Sequence, residues 1–548
     1  MVFEDEIGYL MNSRAIVEQG SSVRIGPMGF YYSGWSLALV PLTALISDPG
    51  TLYRSVMVFI AVLGALQVLP LAWLARRVFD LDHPASIAVA TIAALYPGRS
   101  IMAGYAYSES FYSLVGLTAA VAVVRWVERR NFASALVVGL ASGSMFWIHG
   151  RGLAMIAAAS LMALAAVAVW RTWRPLGVFV SMVPTVLLAE VVHRWLKSNL
   201  YTLGFSRFSK GAGYFGELQP RSLASSTVGP IWYMTVSSLG LAAIGVLVLA
   251  GRSWRAARAK EIVVEQWYIA ALVFLGVVIV PGFSVSVAGG DRRLDYVIYG
   301  RHWDAVLSFC VLAGATVVVT VTNRRELARW LISGGTVTAV AAAALKTVAL
   351  PGYLSGLPIA AISVGGIAPW IDPSDQRIPL WEATATAVVS LVILLFPPAR
   401  WWMARLLLVG AAFTLMAWRA EMHTMRPLDR PWQRTIEMQS AVEDLDPASI
   451  SYDVHRLTLY GNNGYAYWLH EYDLHQFDSS ADQVPTEVVI SRTDWADAER
   501  WRALPYASET RVNETIWVMP GELQDQLLAA DQLCRASLVS EDLVDRCS

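Results

Sequence analysis

The stretch Ser108-Glu-Ser-Phe-Tyr-Ser-Leu-Val-Gly-Leu-Thr-Ala-Ala-Val-Ala-Val-Val-Arg-Trp-Val-Glu-Arg-Arg130 decides how the whole chain is read. Its apolar centre is about as long as a helix must be to cross a bilayer, roughly 20 residues. Glu109 stands at one end, and Arg125, Arg129 and Arg130 at the other. Working outward, eleven more apolar stretches of this kind occur, roughly at 55–75, 86–103, 133–148, 153–170, 176–196, 230–250, 267–287, 304–322, 330–350, 378–396 and 402–419. A shorter one, 33–47, contains Pro41 and reads as interfacial or re-entrant. Only 16% of the 548 residues are charged, against about 25% in soluble domains. The expected fold class is a polytopic α-helical membrane protein with a small C-terminal extracytoplasmic α/β domain.

Lys and Arg in short connections set orientation, because they stay on the cytoplasmic side. Arg76-Arg77, Arg125/Arg129/Arg130, Arg171/Arg174, Arg252/Arg255/Arg258/Lys260, Arg324/Arg325/Arg329 and Arg400/Arg405 fall in alternate connections. The other connections, 104–107, 149–152, 198–229, 288–303 and 351–377, are then external, as are residues 1–54 and everything after Arg419. From Ala420 on there are 23 acids and 10 bases, while the whole chain carries a net charge of only −1. A basic membrane part and an acidic tail imply two solvents, and the small overall charge speaks against a nucleic-acid partner. Three divisions are expected: an external acidic and aromatic loop with interfacial helices (1–54), a transmembrane domain of about twelve helices (55–419), and an extracytoplasmic α/β domain (420–548). In the last, strand-like runs lie at Ile450–Val454, Glu487–Ile490 and Thr515–Met519, with helix-like stretches at Leu457–His470 and Asp494–Leu504. An exported tail would let Cys534 and Cys547 pair. Sparse Lys with abundant Arg, Ala and Val points to a GC-rich bacterial genome, and so to a bacterial plasma membrane.

Four groups of residues carry chemistry, all in the external connections. The first is Phe3-Glu-Asp-Glu-Ile-Gly-Tyr9. Asp5 there is a candidate general base, and Glu4, Asp5 or Glu6 have the oxygen ligands that a divalent cation takes; a solvated acidic N-terminus is the alternative. The second is Tyr105-Ala-Tyr-Ser-Glu-Ser-Phe-Tyr112, where Glu109 and Tyr107 lie at the membrane boundary, with Arg99 as a nearby cation. Helix capping by Ser108 and Glu109 is the plainer account. The third, Trp147-Ile-His-Gly-Arg-Gly152, offers His149 and Arg151 in an apolar setting. Arg grips phosphate in a bidentate fashion, and snorkelling to the interface is the alternative. The fourth runs Asp291-Arg-Arg-Leu-Asp-Tyr-Val-Ile-Tyr-Gly-Arg-His-Trp-Asp304. Its external Arg292, Arg293 and Arg301 oppose the positive-inside bias. Either an anionic lipid head group balances them or Asp291, Asp295 and Asp304 do. Few ionisable residues fall at mid-membrane depth, where a transporter or pump would hold them.

Taken together the pattern resembles the GT-C glycosyltransferases, closest to the branch with protein O-mannosyltransferases and bacterial lipid A aminoarabinose transferases. The residues that carry the resemblance are Asp5-Glu6, the aromatic and apolar segment 28–47, Ala75-Arg-Arg-Val-Phe79, and the Leu95-Tyr-Pro97 break before a helix that opens with Glu109. It covers roughly residues 3–170; beyond that it is one of topology. The resemblance implies a polyprenyl- or dolichyl-phosphate sugar donor and inversion at the anomeric carbon. It implies Asp5 as catalytic base, Glu6 as its acidic neighbour, and Glu109 as the second acidic position. Arg151, Arg301, Tyr299 and Arg293 would bind the donor phosphate, and His149, Tyr107 and His302 the sugar or acceptor. A divalent metal, Mg or Mn, would sit at Glu6 and Glu109 if one is used. The resembling enzymes start with a helix that leads into the acidic loop, so a hydrophobic segment is expected to be encoded upstream of Met1.

The expected reaction is a single displacement in which a hydroxyl attacks the anomeric carbon and a lipid phosphate leaves, its charge met by Arg or metal. Mannose or arabinofuranose is the expected sugar, and an extracytoplasmic glycan, lipid or protein the acceptor. Two rivals are a lipid or polysaccharide transporter or flippase, and a non-catalytic envelope-assembly subunit.

Overall fold

The computed structural model describes residues 4–17, 31–201, 218–289, 293, 295–349, 361–371, 377–425, 430–453, 464–465, 467–469, 471–477, 486–492, 495, 498–506 and 514–533. The helices in chain order are α1 Glu4–Ile16, α2 Ser33–Leu45, α3 Pro49–Leu66, α4 Val68–Phe79, α5 His83–Ala94, α6 Pro97–Met102, α7 Glu109–Arg129, α8 Phe132–Ile148, α9 Gly152–Trp170, α10 Gly177–Leu200, α11 Pro220–Ser237, α12 Leu241–Arg258, α13 Val264–Gly289, α14 Asp295–Ile298, α15 Arg301–Thr320, α16 Arg324–Val348, α17 Leu380–Ile393, α18 Trp402–Ala420, α19 Arg430–Leu445, α20 Ala498–Trp501 and α21 Glu522–Ala529. The chain divides into two compact units. One comprises residues 1–55, 192–206 and 428–548, the other 56–191 and 207–427.

The larger unit is a helical bundle. Among the described residues of the chain, eight helices are long and apolar enough to cross a membrane, or nine if the bent pair α11–α12 counts as one span. Four more apolar helices, Ser33–Leu45, His83–Ala94, Phe132–Ile148 and Leu380–Ile393, are shorter. Besides the one-residue interruption at Gln67 between α3 and α4, which together form one span, two apolar runs that read as single helices are broken, each for a local reason. The run 86–103 stops at Ala94 and resumes at Pro97, because Pro bars the residue before it from helical angles. The run 230–250 turns through 111° between α11 and α12, where Leu239 and Gly240 both take positive φ.

At the centre of the bundle is α15, with 17 of its 20 residues buried. A helix apolar on every side packs only where other helices surround it. It lies along α12, where Gly245 and Gly314 bring the two backbones together: a methyl at Gly245 would overlap the Cys310 carbonyl, and one at Gly314 the Leu241 carbonyl. Small residues permit this close approach in membrane bundles. Exposed tryptophans mark both ends of the bundle. Trp173, Trp254 and Trp401 lie beside the arginine-rich connections, and Trp381 and Trp418 toward the opposite ends of their helices.

The smaller unit joins α1 and α2 to a sheet. Its strands are β1 Ile450–Asp453, β2 Leu474–Phe477, β3 Val488–Arg492, β4 Leu504–Pro505 and β5 Glu514–Val518, in the order β2-β1-β3-β5-β4. β1 runs parallel to β2 and β3, while β5 is antiparallel to β3 and β4. Trp495, fully buried, makes edge-to-face contacts with Phe477 and Trp517 in the core. Helix α1 is held from several sides. Asn12 donates to the Tyr31 carbonyl at 3.0 Å and accepts from Tyr201 at 2.8 Å. Ser13 and Thr43 share a hydrogen bond at 2.7 Å. Arg14 reaches the Ser47 carbonyl at 2.8 Å and lies over the Tyr467 ring. The Tyr467 hydroxyl in turn donates to the Pro49 carbonyl at 2.9 Å. Burial pushes the Arg14 guanidinium below its ordinary range, against the pull of Tyr467, Glu471 and Asp48. Cys534 and Cys547 lie outside the described residues.

Candidate functional site

Three helices of the larger unit begin at one place. Glu109 is the first residue of α7, Arg151 the residue before α9, and Arg301 the first of α15. All three helices then run toward arginine-rich connections, at Arg129-Arg130, Arg171/Arg174 and Arg324-Arg325. Helix starts carry partial positive charge and unsatisfied N–H groups, so their convergence favours anions.

The side chains close on one oxygen. Arg301 Nε donates to Glu109 Oε1 at 2.8 Å, and Arg151 Nη2 donates to the same atom at 3.0 Å. None of the three side chains is more than 6% exposed. Each guanidinium also stacks on a ring, Arg301 over Tyr107 at 3.8 Å and Arg151 over Tyr112 at 4.7 Å. Both interactions spread a buried charge over a π face. Arg151 Nη1 lies 2.9 Å from His302 Nδ1. A guanidinium only donates, so that imidazole nitrogen accepts. The backbone N–H of Arg151 donates to His149 Nδ1 at 3.2 Å. The two imidazoles meet edge to face at 5.2 Å. Tyr299 stacks on Phe283 at 4.4 Å and lies 4.8 Å from His302, which continues an aromatic wall from the arginines.

Of the residues singled out in the sequence, Glu109, Arg151, Arg301, Tyr107, His149, His302 and Tyr299 thus form one contiguous group. Arg293 points to a carboxylate instead, forming two hydrogen bonds with Asp295, at 3.1 and 2.7 Å, and lying over Tyr296. Burial opposes its charge, but the bonds to Asp295 outweigh it and raise the guanidinium above its ordinary value. Glu6 belongs to the smaller unit, where it is buried in α1 and accepts from the Tyr53 hydroxyl at 3.1 Å. Asp5 lies in α1 too, and its side chain falls outside the described residues.

Sequence reading did not find the partners of Asp304, which accepts from Tyr96 at 2.6 Å and from Tyr233 at 2.7 Å. A signal was present. Arg301, Asp304 and Ser308 fall three and seven positions apart, a polar stripe on an otherwise apolar helix. Arg99, also buried, touches Ser308 and the Gly64 carbonyl at 3.3 Å each and has no carboxylate partner among the described residues. Among the described residues, Arg99, Arg151 and Arg301 thus lie buried near Glu109 and Asp304.

No three of His, Cys, Asp and Glu among the described residues come together as a ligand group. Both guanidinium groups bind the same Glu109 oxygen, Oε1.

The described chain thus comprises a polytopic bundle with an Arg–Glu–Arg set at the starts of α7, α9 and α15, and a small sheet unit. Among solved structures the chain is similar to ArnT from Cupriavidus metallidurans. In the apo state the TM-score is 0.54 at 15% identity, over 95% of this chain and 94% of that one. Bound to undecaprenyl phosphate it is 0.54 at 16% identity, over 95% of each. An oligosaccharyltransferase from Archaeoglobus fulgidus, tethered with an acceptor peptide, also aligns, with a TM-score of 0.40 at 12% identity over 94% of this chain and 70% of that one. No family model and no curated protein sequence matches the chain. At such identities the ArnT likeness establishes the fold. It is an ArnT-like fold, a helical membrane bundle with a small C-terminal sheet region, as the sequence reading expected.

Proposed function

We propose that the chain is a membrane glycosyltransferase that moves a sugar from a polyprenyl-phosphate donor to an extracytoplasmic acceptor, with inversion. The observation that carries this reading is the buried Glu109 shared by Arg151 and Arg301. Two guanidinium groups stand at the meeting point of three helix starts, and the ligand that such a place favours is an anion. A lipid phosphate is an anion delivered to the membrane boundary, and the ArnT of the same fold was solved with undecaprenyl phosphate.

The chemistry follows from the charges. As the acceptor hydroxyl attacks the anomeric carbon, the bond to the phosphate oxygen breaks and negative charge grows on that oxygen. Arg151 and Arg301 stabilise it without transferring a proton. Glu109 keeps the two guanidinium groups apart from water and fixed in direction. In this reading Asp5 takes the hydroxyl proton, Glu6 supports it, and His149, His302, Tyr107 and Tyr299 contact the sugar or acceptor. The mannosyl and arabinofuranosyl groups are the first donors to try. The positive-inside bias favours an extracytoplasmic site, since the same three helices end at arginine-rich connections. A bacterial plasma membrane is the proposed location.

A transporter reading has less support. Among the described residues, the buried charged side chains of the larger unit lie within a turn or two of helix ends: Glu265 pairs with Arg252, and Arg405 caps the Pro397 carbonyl. The test is transfer from a panel of radiolabelled polyprenyl-phosphate sugars, using membranes with wild-type, Glu109→Gln or Asp5→Ala protein. Label passing to an acceptor with wild type alone supports the reading; equal transfer by all three overturns it.

A further inference from the structure

Asp304 stands one turn after Arg301 on the same helix and is buried. A carboxylate accepts only, so Tyr96 donates to Oδ1 and Tyr233 to Oδ2. The chain of donors continues outward. Ser237 Oγ lies 2.6 Å from the Tyr96 hydroxyl, which has already given its proton and so accepts. The backbone N–H of Gly366 donates to the Tyr233 hydroxyl at 2.9 Å. Four segments are thereby tied to one side chain: the break before α6, the helix α11, the start of α15 and the turn 361–370.

Three glycines make the room for this. A methyl on Gly98 would collide with the Asp304 carboxylate, one on Gly300 with the Tyr233 ring, and one on Gly366 with Tyr233 and Ser237. Tyr233 therefore touches the backbone just before Arg301 and also the carboxylate one turn after it. The first turn of α15 is gripped at both ends by one aromatic side chain. Residues three apart lie on one helix face, so the grip sets the direction in which Arg301 leaves the helix.

We propose that Asp304 is a positioning residue for Arg301. Held by Tyr96 and Tyr233, it fixes the rotation of the first turn of α15 so that the Arg301 guanidinium reaches Glu109 and the anion beyond. A pair of hydrogen bonds from two different elements constrains the orientation of the carboxyl group as well as its distance. The proposal rests on the reading of Arg301 as a phosphate-binding residue.

The experiment measures binding of undecaprenyl phosphate and of uncharged undecaprenol to the full chain in lipid nanodiscs, for Asp304→Asn, Tyr96→Phe, Tyr233→Phe and Arg301→Lys, singly and in combination. The two tyrosine variants keep the carboxylate and every ring contact, so they carry the test even where Asp304→Asn does not fold. Each variant is expected to weaken undecaprenyl phosphate about tenfold and to leave undecaprenol unchanged, which a general loss of structure would not do. Combined with Arg301→Lys, the tyrosine changes should add little further loss, because both act through one guanidinium. Equal losses for the phosphate and the alcohol, or fully additive double variants, would overturn the positioning role. If Arg301→Lys itself leaves phosphate binding at the wild-type level, the reading of Arg301 falls first, and the role of Asp304 falls with it.

Discussion

Arg301 hydrogen-bonds Glu109 at 2.8 Å although the two residues stand 192 positions apart in the chain. Neither charge is stable alone at such burial, and Arg151 makes the pair a triad. Removing one member of a buried ion set costs about 3–5 kcal/mol, because the others stay buried without a counter-charge.

Glu109→Gln is the cleanest such removal, since it keeps shape and drops charge. It is expected to lower thermal stability in detergent by several degrees and to abolish sugar transfer. Added undecaprenyl phosphate should recover more stability in the variant than in wild type, because an anion then stands in for the missing carboxylate. Melting curves with and without the lipid check this; equal stabilisation of both proteins would mean that the anion binds elsewhere.

Arg151→Lys separates charge from geometry. The guanidinium reaches Glu109 through Nη2 and His302 through Nη1, a fork that an ammonium cannot reproduce. The variant should stay folded, raise the KM for donor about tenfold or more, and lower kcat less. Arg151→Ala should be worse in both, and unfolded in part. Initial rates over a donor titration distinguish the two.

How far the sequence disclosed this site depends on the kind of relation asked for. Glu109, Arg151 and Arg301 each stand at a helix start, in connections that the sequence reading expects to be external. Alternation of basic connections assigns those starts to one face with no knowledge of packing. Their meeting could be expected; that they share one oxygen could not, because lateral neighbours depend on how helices pack. Asp304 shows the limit. Its tyrosine partners are 208 and 71 positions away, on segments whose apolar character hid them. The turn at Leu239-Gly240 was hidden likewise inside the run 230–250, since an apolar window registers length and not direction. In the sheet, β1, β3 and β5 showed as strand-like apolar runs. β2, Leu474-His-Gln-Phe477, was too polar at its centre and β4, Leu504-Pro505, too short to stand out.

The close contact of α12 with α15 makes a sharp contrast among glycines. Gly314→Ala and Gly245→Ala each drive a methyl into a backbone carbonyl, which cannot step aside. Both should destabilise by about 1–3 kcal/mol. Gly251→Ala lies in the same helix α12 with nothing within 4 Å, and there the gain in helix propensity should stabilise by up to about 1 kcal/mol. Unfolding monitored in one detergent for all three settles the ordering, and a neutral Gly314→Ala would disprove the close approach of the two helices.

The face on which the site opens is decided by labelling. Gly104 is exposed in the connection before α7, and Thr172 lies in the connection after α9, beside Arg171 and Arg174. In a background without Cys310, Cys534 and Cys547, Gly104→Cys should react with a membrane-impermeant maleimide on intact cells. Thr172→Cys should react only once the membrane is opened. The reverse pattern would put Arg129, Arg130, Arg171 and Arg174 on the outer side, against the bias that holds short basic connections inside. It would also turn the Glu109 triad toward the cytoplasm, where a sugar for an extracytoplasmic acceptor has no use for it. The two cysteines therefore test the charge argument and the proposed function at once, while the triad geometry is indifferent to the outcome.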